Sequence, residues 1–209
     1  MKKYLLIIVV AIFSSCQRKK DEKQISGATD VKVSTVTDGA KVKQKYIETL
    51  SWIDDFKNFR MALYNKDLPK LKTYFTFPLN TESTAILTAV AAGNGKDIEL
   101  ADPALLSEKE FATYYPEIFT EDFLQSVLKI KSEKLYKDGS ATTEVFKGAN
   151  RDHYMSLNHV TQGEELYFSL GYYDHATADV EEISEYNVIY VFKIIDGKYL
   201  RFDQILEAG

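Results

Sequence analysis

Hydrophobic and polar positions divide the chain into regimes with different periods. Residues 4–13 are an uninterrupted apolar run of ten, about half of the roughly 20 that a helix needs to cross a bilayer. Residues 17–45 are polar and charged, with single scattered apolar positions. They read as a flexible tether, with a reach of roughly 30 Å by random-coil scaling. Val31, Val33 and Val36 offer a short strand as the alternative. From Tyr46 the character changes: Trp52, Phe56, Phe59 and Leu63 recur at helical spacing among Asp, Lys and Arg, which predicts an amphipathic helix over 46–65. Asp67 then caps a second helix running to about Tyr74, with Pro69 in its first turn. Pro78 ends this helical stretch by forcing its predecessor out of the helical region.

Residues 85–92 are apolar and fit a strand or a helix alike, and Gly93-Asn94-Gly95 signals a turn. Residues 98–100 have the makings of a short returning strand. Ser107 and Glu110 form a capping-box pattern that opens a helix through Phe111, Tyr114 and Tyr115, interrupted at Pro116. Thr120 followed by Glu121 and Asp122 starts another, with Phe123, Val127 and Leu128 on its buried side. After about Lys129 the period drops from 3.6 to 2. Residues 132–147 read as two strands joined at Asp138-Gly139, with further strands at 155–160, 166–173 and 184–195. Asp196-Gly197 is the clearest hairpin signal, and residues 198–206 return from it. Helices first and strands afterwards give an α+β fold, with N-terminal helices packed on one face of a curved antiparallel sheet. Residues 46–209 suffice for one domain with a real core.

The N-terminus adds an address. Lys2 and Lys3 precede the apolar run, Ser14 and Ser15 follow it, and Cys16 comes next. Residues 1–15 thus fit a signal peptide better than a stable span. An apolar residue, two small ones and a cysteine resemble the lipobox of bacterial lipoproteins, with Phe13 where leucine is usual. The resemblance implies cleavage before Cys16, diacylglycerol on its thiol and acylation of the new amine. One acyl chain holds a protein to a bilayer only marginally, whereas two or more hold it stably. Cys16 is then the lipid-attachment residue, residues 16–45 are the lipidated tether, and the protein sits in the bacterial cell envelope, on the periplasmic or surface face of the outer membrane.

Composition bounds the partners. Cys16 is the one cysteine, so the chain makes no internal disulfide. Without residues 1–15 the formal charge is −7, from 24 basic and 31 acidic residues. That balance argues against nucleic acid as a partner and leaves the membrane, through the lipid anchor, with a small ligand or an envelope protein besides.

Two stretches carry a second resemblance. Residues 56–79, FKNFRMALYNKDLPKLKTYFTFPL, resemble the opening of nuclear-transport-factor-2-like domains: a long helix, an Asn-Lys-Asp turn, a short helix and an aromatic-Pro exit. The end, EYNVIYVFKIIDGKYLRFDQILEAG, resembles their closing hairpin. The resemblance implies a cone in which helices close one side of a bent sheet, often around a pocket. No catalytic motif of that family maps onto these residues, so no activity carries over.

The remaining chemical signals are sparse. His153, His159 and His175 form no HExxH motif, and the sequence points to no metal site and no cofactor. Gly93-Asn94-Gly95-Lys96 lacks the glycine and hydroxyl positions of a phosphate loop, and GxSxG is absent. The acidic run 179–185 lacks EF-hand spacing. Asp174-His175 reads as a strand end and turn, or as the acid–base pair of an enzyme of the same fold. The late Tyr and Phe stripe reads as core, or as a pocket lined by Phe56, Tyr172, Tyr190 and Phe192. The expected function is a non-catalytic, envelope-anchored domain binding a ligand or a protein. The alternatives are the His/Asp enzyme and a structural lipoprotein that meets another envelope protein through its sheet.

Overall fold

The aromatic spacing that predicts the first helix holds, but the helix starts later. In a computed structural model of the chain, residues 33–36, 44–94, 98–175 and 185–209 are described. They belong to one compact unit, Val31–Gly209. Cys16 and the apolar run lie outside the described residues, as do 95–97 and most of the acidic run. Strand β1 (Val33–Val36) pairs antiparallel with β2 (Gln44–Ile47), so both ends of the segment 33–47 are strand, where the polar composition predicts tether. Tyr46 therefore belongs to β2, and α1 is Trp52–Tyr64. Ser51 sets the start: its hydroxyl accepts the Asp54 N–H.

Helix α2 (Leu68–Lys72) begins on the Asp67 cap as predicted. Beyond Pro78, β3 (Leu79–Asn80) leads to α3 (Ile86–Asn94), which settles 85–92 as helix. Gly93 and Asn94 extend that helix instead of turning. The short strand falls at β4 (Leu105–Leu106), paired with β3, and not at 98–100. The Ser107–Glu110 capping box opens α4 (Glu108–Ile118). Pro116 does not interrupt α4 but sits two residues from its end, where the helix is about to stop anyway. Thr120 caps α5 (Glu121–Lys129), which buries Phe123, Ser126 and Val127.

The predicted hairpin at Asp138-Gly139 is a helix end instead. Residues 132–138 form α6 (Ser132–Asp138), and Gly139, at φ 73°, is its left-handed cap. Both structures need a glycine at positive φ after a polar residue, so the dipeptide alone does not separate them. The sheet follows as an antiparallel meander that does not close: β5 (Ser140–Thr142), β6 (Arg151–Val160), β7 (Glu165–Asp174), β8 (Glu185–Ile195) and β9 (Tyr199–Ala208), in that spatial order. Asp196 and Gly197, at φ 54° and 65°, make the predicted turn between β8 and β9.

Alternation sends Met155, Leu157, Leu166, Phe168, Leu170, Tyr190 and Phe192 to one face, all buried. Rings on α1 and α5 meet that face: Phe56 and Phe59 reach Phe168, and Phe123 reaches Tyr190. The protein is thus α+β, with helices on an antiparallel sheet. Two buried polar residues fix the docking. Asp55 of α1 accepts the Leu200 N–H of β9 at 2.7 Å and the Tyr74 hydroxyl at 3.1 Å. Arg201 donates to the Thr73 and Phe75 carbonyls, and its guanidinium carbon lies 4.9 Å from the Tyr46 ring centre. The β1–β2 hairpin is tied to β9 in this way, with Tyr46 stacked on Tyr199.

Candidate functional site

The four residues expected to line a pocket separate into two pairs. Phe56 and Phe192 are wholly buried, and both touch Phe168, at 5.8 and 4.9 Å between ring centres. They are packed into the core. Tyr172 and Tyr190 come together further along the sheet, lining a cavity with Ala89, Thr120, Arg151 and Tyr186. Its volume is about 10 Å3, at the lower limit for a single water. The Tyr190 hydroxyl is already spent on the Ile118 carbonyl at 2.7 Å.

A polar cluster surrounds that cavity, built from β6, β7, β8 and the first turn of α5. Arg151 donates to the Tyr186 hydroxyl at 2.9 Å and to the Asp122 carboxylate at 3.2 Å. Its guanidinium carbon lies 4.3 Å from the centre of the Tyr172 ring. Asp122 stands at the positive end of α5, which favours a carboxylate there. Its other oxygen is 3.8 Å from His153 Nδ1. His153 stacks face to face on Phe146, and its Nε2 is buried without a hydrogen-bond partner among the described residues. Burial pushes the Tyr172 hydroxyl up to about 12, so it stays protonated at neutral pH. The arrangement is largely self-satisfied: the strongest donor, Arg151, is committed to protein groups and a ring face. No period or motif pairs Arg151 with Asp122 in the sequence, because they lie 29 residues apart on different elements.

The His/Asp pair forms with a different aspartate. His175 Nε2 lies 3.0 Å from Asp152, and the His175 backbone N–H donates to the Asn150 carbonyl. Asp152 also accepts from Lys147 and from the Gly148 N–H. These donors, Lys147 first, hold its carboxyl down to about 2. Strand alternation puts Asp152 on the opposite side of β6 from Arg151 and His153. The pair therefore pins the turn 147–151 and does not face the cavity. His159 lies beside Trp52 at 4.7 Å, well along β6 from His153. Among the described residues no three His, Cys, Asp or Glu side chains converge as metal ligands would. No protein-family model, no curated protein and no solved structure matches the chain.

Proposed function

We propose that this chain is a lipoprotein of a bacterial cell envelope whose domain binds another protein through its surface. Lipid on Cys16 is the anchor, and the segment after it carries the domain away from the bilayer. The succession of residue types over 1–16 supports the address: basic pair, ten apolar residues, two serines, cysteine. The domain fits the nuclear-transport-factor-2-like cone in its order of elements. After β1 and β2 come a long helix, the turn at Asn65-Lys66-Asp67, a short helix and an aromatic-Pro exit, and a long closing hairpin comes last.

One observation carries the choice of surface over interior. Where such a cone would hold a ligand, Phe56, Phe59, Phe168 and Phe192 occupy the space with rings about 5–6 Å apart, and the adjoining cavity holds about 10 Å3. Small-molecule sites are commonly a few hundred Å3 or more.

The anchor has its own test. Changing Cys16 to alanine is expected to move essentially all of the chain from the membrane fraction to the soluble fraction of the envelope. Mass spectrometry of the wild-type N-terminal peptide is expected to show an acylated Cys16 as the first residue. A Cys16→Ala chain that still sediments with membranes through its N-terminus contradicts the anchor.

A further inference from the structure

The sheet has two edges, and the chain treats them differently. Residues 74–85 cover β9: Phe202 donates to the Tyr74 carbonyl at 2.8 Å, Ala85 donates to the Ile205 carbonyl at 2.8 Å, and Ile205 donates to the Thr84 hydroxyl at 2.7 Å. Strand β5 has no such cover among the described residues. Its pairing with β6 runs through Gly139, Ala141 and Thr143, as the His159 to Gly139 and Thr143 to Met155 bonds show. Antiparallel alternation then turns the N–H and C=O groups of Ser140 and Thr142 away from β6. The backbone departs from regular pairing at Glu144 and Val145 and rejoins β6 at Phe146, opposite His153.

A groove of about 660 Å3 runs beside this edge, with every residue of 141–146 lining it. Lys129, Lys131 and Lys134 line it from the α5–α6 corner. Lys134 is paired with Asp138 at 2.8 Å, whereas Lys129 and Lys131 have no carboxylate partner among the described residues. Arg60 holds that corner in place by donating to the Ile130 carbonyl at 2.7 Å and the Ser132 hydroxyl at 2.9 Å. Val145, at 44% exposure, adds an apolar patch. Three lysines against one carboxylate, Glu144, give the groove a positive lining on a chain with more acidic than basic residues.

Lysines near an edge strand also serve to repel other strands. That use places lysine on the edge strand itself. Residues 140–146 contain none, and here the lysines stand across an open groove. A second copy of β5 fits poorly, because its own lysine wall would come with it.

We propose that this edge binds an extended acidic segment of a partner protein by strand addition. The segment's backbone pairs with Thr142 and its neighbours, and its carboxylates face Lys129 and Lys131. Main-chain bonds supply affinity in this mode, and the flanking side chains supply selection. The inference rests on the reading of the domain as protein-binding and names the partner's chemistry. Residues 140–146 span about 20 Å when extended, which matches a segment of six or seven residues.

The test uses the full chain in detergent micelles and a labelled heptapeptide of alternating Glu and Val. Its counterpart of alternating Lys and Val is the control. The acidic peptide is expected to bind and to slow hydrogen exchange across 140–146. Affinity is expected to fall at least tenfold for the Lys peptide and for the Lys129→Glu, Lys131→Glu double variant, about 1.4 kcal/mol or more. Thr142→Pro should abolish binding while leaving the fold intact, because an edge strand tolerates proline where its N–H points outward. Equal binding of both peptides, protection elsewhere on the sheet, or no binding at about 1 mM peptide, a free energy near −4 kcal/mol, overturns the proposal. A native partner retained undiminished by the double variant overturns the groove while leaving the protein-binding reading in place.

Discussion

Phe59→Ala is expected to cost about 3–5 kcal/mol of folding stability, the range for removing a well-packed buried ring. Phe59 is wholly buried and stands where four other rings meet: Tyr74 at 5.1 Å, Phe119 at 5.7 Å, Phe168 at 6.1 Å and Phe192 at 5.1 Å between centres. Those rings come from the exits of α2 and α4 and from β7 and β8, so no single element can move in to close the void. Rigid neighbours raise the cavity part of the cost, because dispersion contacts are lost without replacement. Typical domains have about 5–15 kcal/mol in total, so this one change spends a large part of it. Urea unfolding should show a lower midpoint with an unchanged slope. Phe59→Leu should cost clearly less, since it refills most of the volume. A loss under about 1 kcal/mol for the alanine variant contradicts the interlocked core.

The second large effect is at Asp55, and pH separates its parts. Burial pushes its carboxyl up to about 6, against the opposing hydrogen bonds from the Leu200 N–H and Tyr74 and the nearby Arg201 charge. Unfolded, an aspartate titrates near 3.9. Between these values the folded state binds more protons than the unfolded one, so the group's contribution is complete below about pH 4 and is lost as pH rises through about 6. The loss is on the order of 2–3 kcal/mol. Asp152, whose carboxyl is held down to about 2, acts in the opposite sense and at lower pH, so the two windows do not coincide.

Asp55→Asn cannot ionise. It should remove the fall in stability between pH 4 and 6 while keeping an acceptor for the Leu200 N–H. Asp55→Ala leaves that N–H without its 2.7 Å partner and opens a void, and should cost about 2–4 kcal/mol at pH 5. Denaturant unfolding of the three chains from pH 4 to 8 checks both. Wild-type stability that rises over pH 4–6 relative to the asparagine variant reverses the sign and contradicts the account.

What the sequence discloses is local. Ser107 with Glu110, Thr120, Asp67 and Asp196-Gly197 each act within a few residues of themselves, and each forms as its spacing predicts. Asp138-Gly139 misleads because a left-handed glycine serves a helix cap as well as a hairpin. The start at Tyr46 misleads because the polar stretch ends there, which extends the helical reading back past Ser51, while the partners of Tyr46, Tyr199 and Arg201, lie some 150 residues away. The polar features are less visible still. Asp55 looks like any acidic residue in a first helical turn, and only its bond to Leu200, 145 residues on, makes it a structural hub. Lys129 and Lys131 read as solvated charges until α6 brings their corner beside the open edge of β5.

These particulars bear on function in one direction. The helices and sheet use their large side chains on each other, and the Arg151 guanidinium is spent on Asp122 and Tyr186. The exposed features, a strand edge uncovered and two lysines unpaired among the described residues, suit another chain better than a small molecule.

Native mass spectrometry of the full chain, extracted in detergent from its source membrane, tests that most directly. The account predicts the mass of the acylated chain, a population carrying a second protein, and no retained small molecule once detergent is stripped. A small organic molecule bound in stoichiometric amount to the stripped chain contradicts it.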